Sequence, residues 1–211
     1  MLGFLTDPAF WQVYFPAWMQ GLGTIAAAVL GWYAFRVWGR QENARRKAEL
    51  AEKILTKGFA AVGAINFART CTPRGGRSVE EDAERAIGGG RTHAVQKMSS
   101  MCAELSAFAD LATMRLSKEV GEAIRLLEEQ AQMVRVSFFA LSDSVRNGYQ
   151  FVDGGPSKEE ILNAFMDVLV AAPGKPRKGR KRRADELERD IAKAMVIIRE
   201  GCEPYLDYAR S

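Results

Sequence analysis

The lone histidine of the chain follows a run of glycines, and phosphate binding is the first chemistry to consider there. His93 comes directly after Gly88-Gly89-Gly90-Arg91-Thr92. Backbone N–H groups in such a run can form a concave nest that holds a phosphate. A phosphate-binding loop normally follows a strand and is completed by Lys-Ser or Lys-Thr, and the sequence around residues 88–93 has neither feature. The pattern therefore favours an ordinary connection over a phosphate site.

Other reactive side chains lack the partners that catalysis needs. The residues Ser99, Ser100 and Cys102 have no base beside them in the sequence. An acidic patch at residues 80–84 is typical of a helix start or of a solvated face. We therefore assign no catalytic, cofactor-binding or metal-binding residue, and we predict that the chain is not an enzyme.

The three cysteines give no sign of a disulfide framework or a zinc site. The number of cysteines is odd, and no Cys-x-x-Cys motif is present; the residues are Cys71, Cys102 and Cys202. This usage predicts reduced thiols in a reducing compartment, acting as small core or surface residues.

The strongest charge feature is a basic run at residues 173–183. Without its seven basic residues, the net charge of +4 becomes −3. Contact with anionic lipid and a merely solvated loop are equally favoured interpretations. Nucleic-acid binding ranks behind them, because no aromatic residues interleave the basic ones to stack on bases. The residues concerned are Lys175, Arg177, Lys178, Arg180, Lys181, Arg182 and Arg183.

A long uncharged stretch precedes all of these features. The 28 residues from Pro8 to Phe35 include no charged side chain, and aromatic residues gather at both ends of the stretch. Residues 18–38 supply the roughly 20 residues that a bilayer core requires. We therefore predict a transmembrane helix at 18–38, preceded by an outer or interfacial segment at 1–17. A cleaved signal peptide is disfavoured, because no basic region precedes the apolar one and bulky aromatic residues close it.

The charges beside this stretch predict its orientation. Arg36, Arg40, Arg45 and Arg46 follow it, whereas no Lys or Arg precedes it. The positive-inside rule then places the N-terminus outside and residues 39–211 in the cytoplasm. We therefore predict a single-pass protein of the inner (cytoplasmic) membrane.

Small residues line one face of the predicted membrane helix. Gly23, Ala27 and Gly31 recur every four positions, and Gln20 extends this face toward the outer end. Such a face lets two helix backbones approach closely in lipid, and Gln20 could form a hydrogen bond between helices. The pattern predicts a homo-oligomer, although glycine and alanine are also simply common in membrane helices.

Beyond the membrane, the pattern is helical throughout. We predict an all-α protein in which one N-terminal transmembrane helix precedes a cytoplasmic bundle of about five helices, with flexible loops at 70–91 and 173–183. The strongest periodicity runs from Val120 to Val145 at alternating spacings of four and three, which favours a long bundle helix over an oligomeric coiled coil. Ser157 and Glu160 form the pattern of a capping box.

The juxtamembrane segment also carries a resemblance. The residues Arg46-Lys47-Ala48-Glu49-Leu50-Ala51-Glu52-Lys53-Ile54-Leu55, together with Trp11 and the aromatic stretch, resemble a group of uncharacterised bacterial bitopic membrane proteins. The resemblance covers residues 11–68 and implies a membrane helix followed by a helical cytoplasmic domain. It implies no catalytic residues. Some proteins of similar architecture are membrane effectors in bacterial defence against phages.

These observations lead to one expectation and two alternatives. We expect a membrane-anchored interaction or sensing module that self-associates and binds a cytoplasmic protein partner. The first alternative is a membrane-disrupting effector whose segment rearranges on oligomerisation. The second is a membrane-tethered nucleic-acid-binding protein that uses residues 175–183.

Overall fold

The computed structural model describes residues 15–70, 78–88, 90–147, 157–169 and 182–210. All the regular structure in these ranges is α-helical, which confirms the all-α part of the predicted fold class. The chain divides into two units, residues 1–46 and residues 47–211. The described helices are α1 (Phe15–Thr70), α2 (Val79–Ile87), α3 (Arg91–Ser106), α4 (Ala109–Arg115), α5 (Lys118–Asn147), α6 (Lys158–Leu169) and α7 (Arg182–Arg210).

The bundle has more helices than the sequence predicts. Helix α2 lies within the segment 70–91 that we predict as a loop with at most one short helical piece. Ser78 caps its N-terminus by accepting a 3.2 Å hydrogen bond from the Glu81 N–H, and the acidic patch forms its first turn. The apolar spacing from Thr92 to Arg115 predicts a single helix, but the structure divides it into α3 and α4 by a turn at Ala107 and Phe108.

Helix α5 is the centre of the bundle. It packs against α2, α3, α4, α6 and α7. Its predicted seam faces the core, since seven of its eight members are buried and Val145 packs against the core while half-buried. The buried members are Val120, Ile124, Leu127, Ala131, Val134, Phe138 and Leu141. The apolar spacing alone was sufficient to predict the buried face of α5, because no polar residue interrupts the seam.

The second part of α1, from Lys47 onward, buries a mixture of alanines and isoleucines. Ala51, Ile54, Ala61 and Ile65 are fully buried. Phe59, which the periodicity places on the buried face, is instead 60% exposed. The neighbouring Gly58 accounts for this, because the Met195 sulfur of α7 lies 3.5 Å from where a Cβ would stand, so the close contact falls on the glycine.

Two glycines allow close helix contacts elsewhere in the bundle. A Cβ added at Gly201 of α7 would lie 2.3 Å from Val120 Cγ2 of α5. A Cβ at Gly121 would lie 2.9 Å from the Ala109 carbonyl oxygen of α4. These contacts fix how closely α7 and α4 can pack against α5.

Helix α7 continues beyond the end that the sequence predicts. We predict that it stops near Gly201 or Pro204, but it runs to Arg210 with Pro204 inside it. A proline inside a helix removes one backbone hydrogen bond, and its ring crowds the carbonyl group one turn earlier, so the helix needs other contacts to continue. Tyr205 and Leu206 pack against the core, and the Tyr205 hydroxyl donates a 3.3 Å hydrogen bond to the Leu116 carbonyl. This anchoring offsets the cost of the proline.

The predicted membrane segment at 18–38 belongs to α1. The helix begins at Phe15, so most of the predicted outer segment, residues 1–14, lies outside the described residues. Within the ranges that the structure describes, no helix combines the length and the apolar character needed to cross a membrane. The mean hydropathy of this segment is lowered by Gln20, Thr24 and the glycines.

Candidate functional site

The glycine run before His93 is used to start a helix. Gly90 has a φ of 81°, in the left-handed region that favours glycine, and it forms the N-cap of α3. Arg91 is buried, with its Nη1 donating to the Ala86 carbonyl at 2.8 Å and its Nη2 to the Arg69 carbonyl at 3.2 Å. The guanidinium therefore donates hydrogen bonds to carbonyl groups near the C-terminal ends of α2 and α1. The His93 side chain is exposed.

A second arginine is buried nearby. Arg69 is 1% exposed, and its Nε donates to the Val168 carbonyl of α6 at 3.2 Å. Its Nη2 is buried without a hydrogen-bond partner in the described part of the chain. Loss of solvation lowers the pKa of Arg69, and the nearby Glu188 carboxylate opposes this shift. Like Arg91, Arg69 connects the ends of helices.

The remaining reactive side chains have structural roles. The Ser99 hydroxyl donates to the Val95 carbonyl one turn earlier, at 3.0 Å. Burial raises the pKa of both Cys102 and Cys202 to about 11, so these thiols stay protonated at neutral pH. Both cysteines are buried, so of the two predicted positions, core or surface, they take the core one. Cys71 lies outside the described residues.

The first part of α1 exposes an unusual amount of apolar surface. Ten large hydrophobic side chains between residues 18 and 38 are each more than half exposed, including Ile25 at 64%, Leu30 at 67% and Trp38 at 61%, whereas Val37 is half-buried. They point in all directions around the helix. Scattered exposed hydrophobic residues are normal in soluble proteins, but a helix that is apolar on every side is normally covered by protein or lipid. We call residues 18–38 the apolar segment.

The predicted association face is open within this segment. A Cβ added at Gly23 or Gly31 would have no heavy atom within 4 Å, and Gln20 and Ala27 are exposed. The Thr24 hydroxyl donates a 2.9 Å hydrogen bond to the Gln20 carbonyl, so it adds no free donor to this face. The four predicted residues therefore lie on one helix with space beside them.

The basic run falls almost wholly outside the described residues. This applies to Lys175, Arg177, Lys178, Arg180 and Lys181. Arg182 and Arg183 begin α7. The lipid and nucleic-acid interpretations of these residues stay predictions.

A cavity of about 460 Å³ opens between α5, α6 and α7. We call it the α5–α7 cavity. Its apolar wall includes Met133 of α5, Phe165 and Val168 of α6, and Leu187 of α7. This volume lies in the range of small-molecule sites, which are also largely apolar with a few polar groups.

The polar lining of the α5–α7 cavity is dominated by hydrogen-bond acceptors. Gln130 and Ser137 come from α5, and Glu186 and Asp190 come from α7. Gln130 is 5% exposed, yet its Oε1 has no hydrogen-bond partner in the described ranges. An unsatisfied buried acceptor costs about 1–3 kcal/mol of stability, so such atoms call for an explanation.

This polar lining was missed by the sequence analysis, although a signal for it exists. Gln130, Ser137 and Ser144 recur every seven residues beside the apolar seam of α5, and all three are buried. A heptad spacing of polar residues indicates that they share one face of the helix. The carboxylates of α7 could not be found in this way, because their position depends on how α7 packs.

The described residues contain no group of three or more His, Cys, Asp or Glu side chains that could hold a metal ion. Neither a protein-family model, nor a curated protein, nor a solved structure matches this chain.

Proposed function

We propose that the protein is a membrane-anchored helical module that assembles through its apolar segment and presents its helical bundle to the cytoplasm for interaction or sensing. The observation that carries this proposal is the exposure of the large hydrophobic side chains of residues 18–38 on every side of α1. Lipid is the environment that covers such a helix without a matching apolar groove.

The residue types of the apolar segment support a membrane location. Before Arg36 near its C-terminal end, the residues that lower its mean hydropathy are glycine, tryptophan, tyrosine, threonine and glutamine, and none is charged. Membrane helices use small and polar residues where they contact each other, and they use aromatic residues at the headgroups.

The C-terminal end of the segment has the character of a membrane interface. The Arg36 guanidinium carbon lies 4.3 Å from the centre of the Trp32 ring, which is a cation–π contact. The Phe35 and Trp38 rings lie 6.0 Å apart. An aromatic cluster joined to arginine suits the level of anionic headgroups, and it supports the cytoplasmic orientation of the following residues.

Self-association is supported by the open face of Gly23, Ala27 and Gly31. In lipid, apolar burial gives no driving force between helices, so close backbone packing becomes the main source of affinity. A copy of the same helix would fill the space beside these residues and could pair Gln20 with its equivalent.

The first test concerns membrane attachment. We expect the full chain to float with vesicles and to resist alkaline extraction from bacterial membranes. An epitope tag at the N-terminus should be open to protease from outside intact spheroplasts. A chain that stays soluble without detergent would refute the proposed anchor.

The second test concerns assembly. Gly23→Ile plus Gly31→Ile should reduce the oligomer of the full chain in nanodiscs to a monomer, as measured by single-molecule mass. Gly21→Ile plus Ala28→Ile is the matched control, because it adds nearly the same bulk about 100–120° around the helix from the centre of this face. A monomer in the wild type, or equal loss in both variants, would refute assembly through this face.

A further inference from the structure

We infer that the α5–α7 cavity binds a small organic cation, an ammonium group carried on an apolar stem. The inference concerns the bundle alone, and it stands whether or not the apolar segment enters a membrane. It depends on three features of the cavity: its acceptors, its charge and its walls.

The first feature is the buried amide of Gln130. The Gln130 side chain lines a space that is large enough for a ligand, and its Oε1 is buried with no hydrogen-bond partner in the described ranges. A rotation of the amide would present this oxygen to a ligand that carries N–H groups, which would provide the missing hydrogen bond. An apolar residue of similar size would fit the same position without leaving an unsatisfied atom, so the glutamine suits a bound ligand better than it suits an empty core.

The second feature is the pair of carboxylates on α7. Glu186 and Asp190 lie one helical turn apart and line the same cavity. Neither carboxylate forms an ion pair with a side chain in the described part of the chain. No described Lys or Arg lines the cavity. With the Gln130 amide oxygen, these groups make a site rich in acceptors that favours a cation with N–H donors and disfavours an anion.

The third feature is the apolar wall, which distinguishes an organic cation from a metal ion. Met133, Phe165 and Leu187 offer contact area but no ligand for a hard cation, and Ca²⁺ requires six to eight oxygen ligands. An apolar stem would cover these side chains while its ammonium group reaches the carboxylates. A cavity of about 460 Å³ suits a ligand of this small size.

The experiment compares two probes of nearly equal shape. 2-Phenylethylamine carries an ammonium group at neutral pH, whereas 2-phenylethanol has a neutral hydroxyl at the same position. Binding to the full chain in phosphatidylcholine nanodiscs is measured by calorimetry, with empty nanodiscs as the blank for partition into lipid. We expect the amine to bind about tenfold or more tightly than the alcohol, because charge-assisted hydrogen bonds are the stronger ones.

Variants then locate the binding. Glu186→Gln plus Asp190→Asn should weaken amine binding about tenfold and leave the alcohol unaffected. Glu200→Gln, an exposed carboxylate on the same helix but outside the cavity lining, is the control and should change neither. Gln130→Leu should weaken amine binding several-fold and at the same time raise Tm, a combination that a purely structural role would not produce.

Three results would overturn the inference. These are equal affinity for the amine and the alcohol, wild-type affinity in the double variant, or no amine binding at millimolar concentration. Thermal unfolding of each variant shows whether the bundle is intact. Membrane attachment and oligomeric state, measured on the same samples, separate a failure of this inference from a failure of the proposed function.

Discussion

Replacing Gly201 with alanine should destabilise the bundle, because α7 lies directly against Val120 of α5 at this position. The new Cβ would lie 2.3 Å from Val120 Cγ2, whereas carbon atoms in contact are normally about 3.5–4.0 Å apart. Val120 is fully buried, so the helices must separate or the valine must leave its position. Overpacking of this kind costs about 1–3 kcal/mol.

The helical preference of alanine offsets part of this cost. Alanine within a helix is favoured over glycine by about 0.5–1 kcal/mol. The net loss in the free energy of unfolding should therefore be about 0.5–2 kcal/mol. At about 2–4 °C per kcal/mol, Tm should fall by roughly 1–8 °C. Thermal unfolding of the full chain, followed by circular dichroism, measures this change.

Gly58 provides the matched control. Its added Cβ would meet the Met195 sulfur at 3.5 Å, which is ordinary contact. Gly58→Ala should keep the gain in helical preference and raise Tm by roughly 1–4 °C.

A second change tests the named contact directly. Val120→Ala by itself should cost about 1.5–3 kcal/mol through lost burial and the cavity that it leaves. In the Gly201→Ala background, Val120→Ala should destabilise the bundle by at least about 1 kcal/mol less than it does in the wild type, because it also relieves the clash with the new Cβ. Additive effects, or a Gly201→Ala variant as stable as the wild type, would refute the close approach of α5 and α7.

Three further predictions follow from the polar contacts of the bundle. Arg91→Met should cost about 1.5–3 kcal/mol in chemical unfolding, because two helix-end carbonyls lose charged donors, and Arg91→Lys should restore only part of this. In a Cys71→Ser background, Cys102 and Cys202 should resist alkylation at pH 8 until denaturant is added; rapid labelling of the native protein would contradict their raised pKa values, both about 11. Hydrogen bonds from Ser157 lower the pKa of Glu160. Its contribution to stability should therefore be present above the ordinary carboxyl pKa and be lost as the pH falls through the lowered value. This loss should be smaller in Ser157→Ala, which removes the hydroxyl donor and keeps the backbone N–H donor.

The sequence predicts well those parts of the fold that depend on local pattern. The capping box is confirmed, since the Glu160 N–H donates to Ser157 Oγ at 3.2 Å and the Ser157 N–H donates to Glu160 Oε2 at 2.8 Å. The seam of α5 is confirmed in the same way. Both signals come from residues that lie close together in the chain, where spacing alone decides which side chains meet.

Features that depend on distant residues could not be predicted. The exposure of Phe59 follows from the contact between Gly58 and α7, and the length of α7 depends on Tyr205 reaching Leu116. The α5–α7 cavity joins residues from three helices, so its carboxylates and its amide have no common sequence signature. Composition is sufficient to locate the apolar segment, but it does not distinguish between lipid and protein as the environment of that segment.

The central position of α5 has a consequence for the order in which the protein forms. Five helices pack against α5, which ends at Asn147, so the core of the bundle cannot close before that residue has been synthesised. The apolar segment leaves the ribosome well before then, since chains emerge N-terminus first. If the proposed function holds, the apolar segment would therefore meet the membrane or another copy before the bundle folds. Localisation would then be the earlier step, and completion of the α5–α7 cavity the later one.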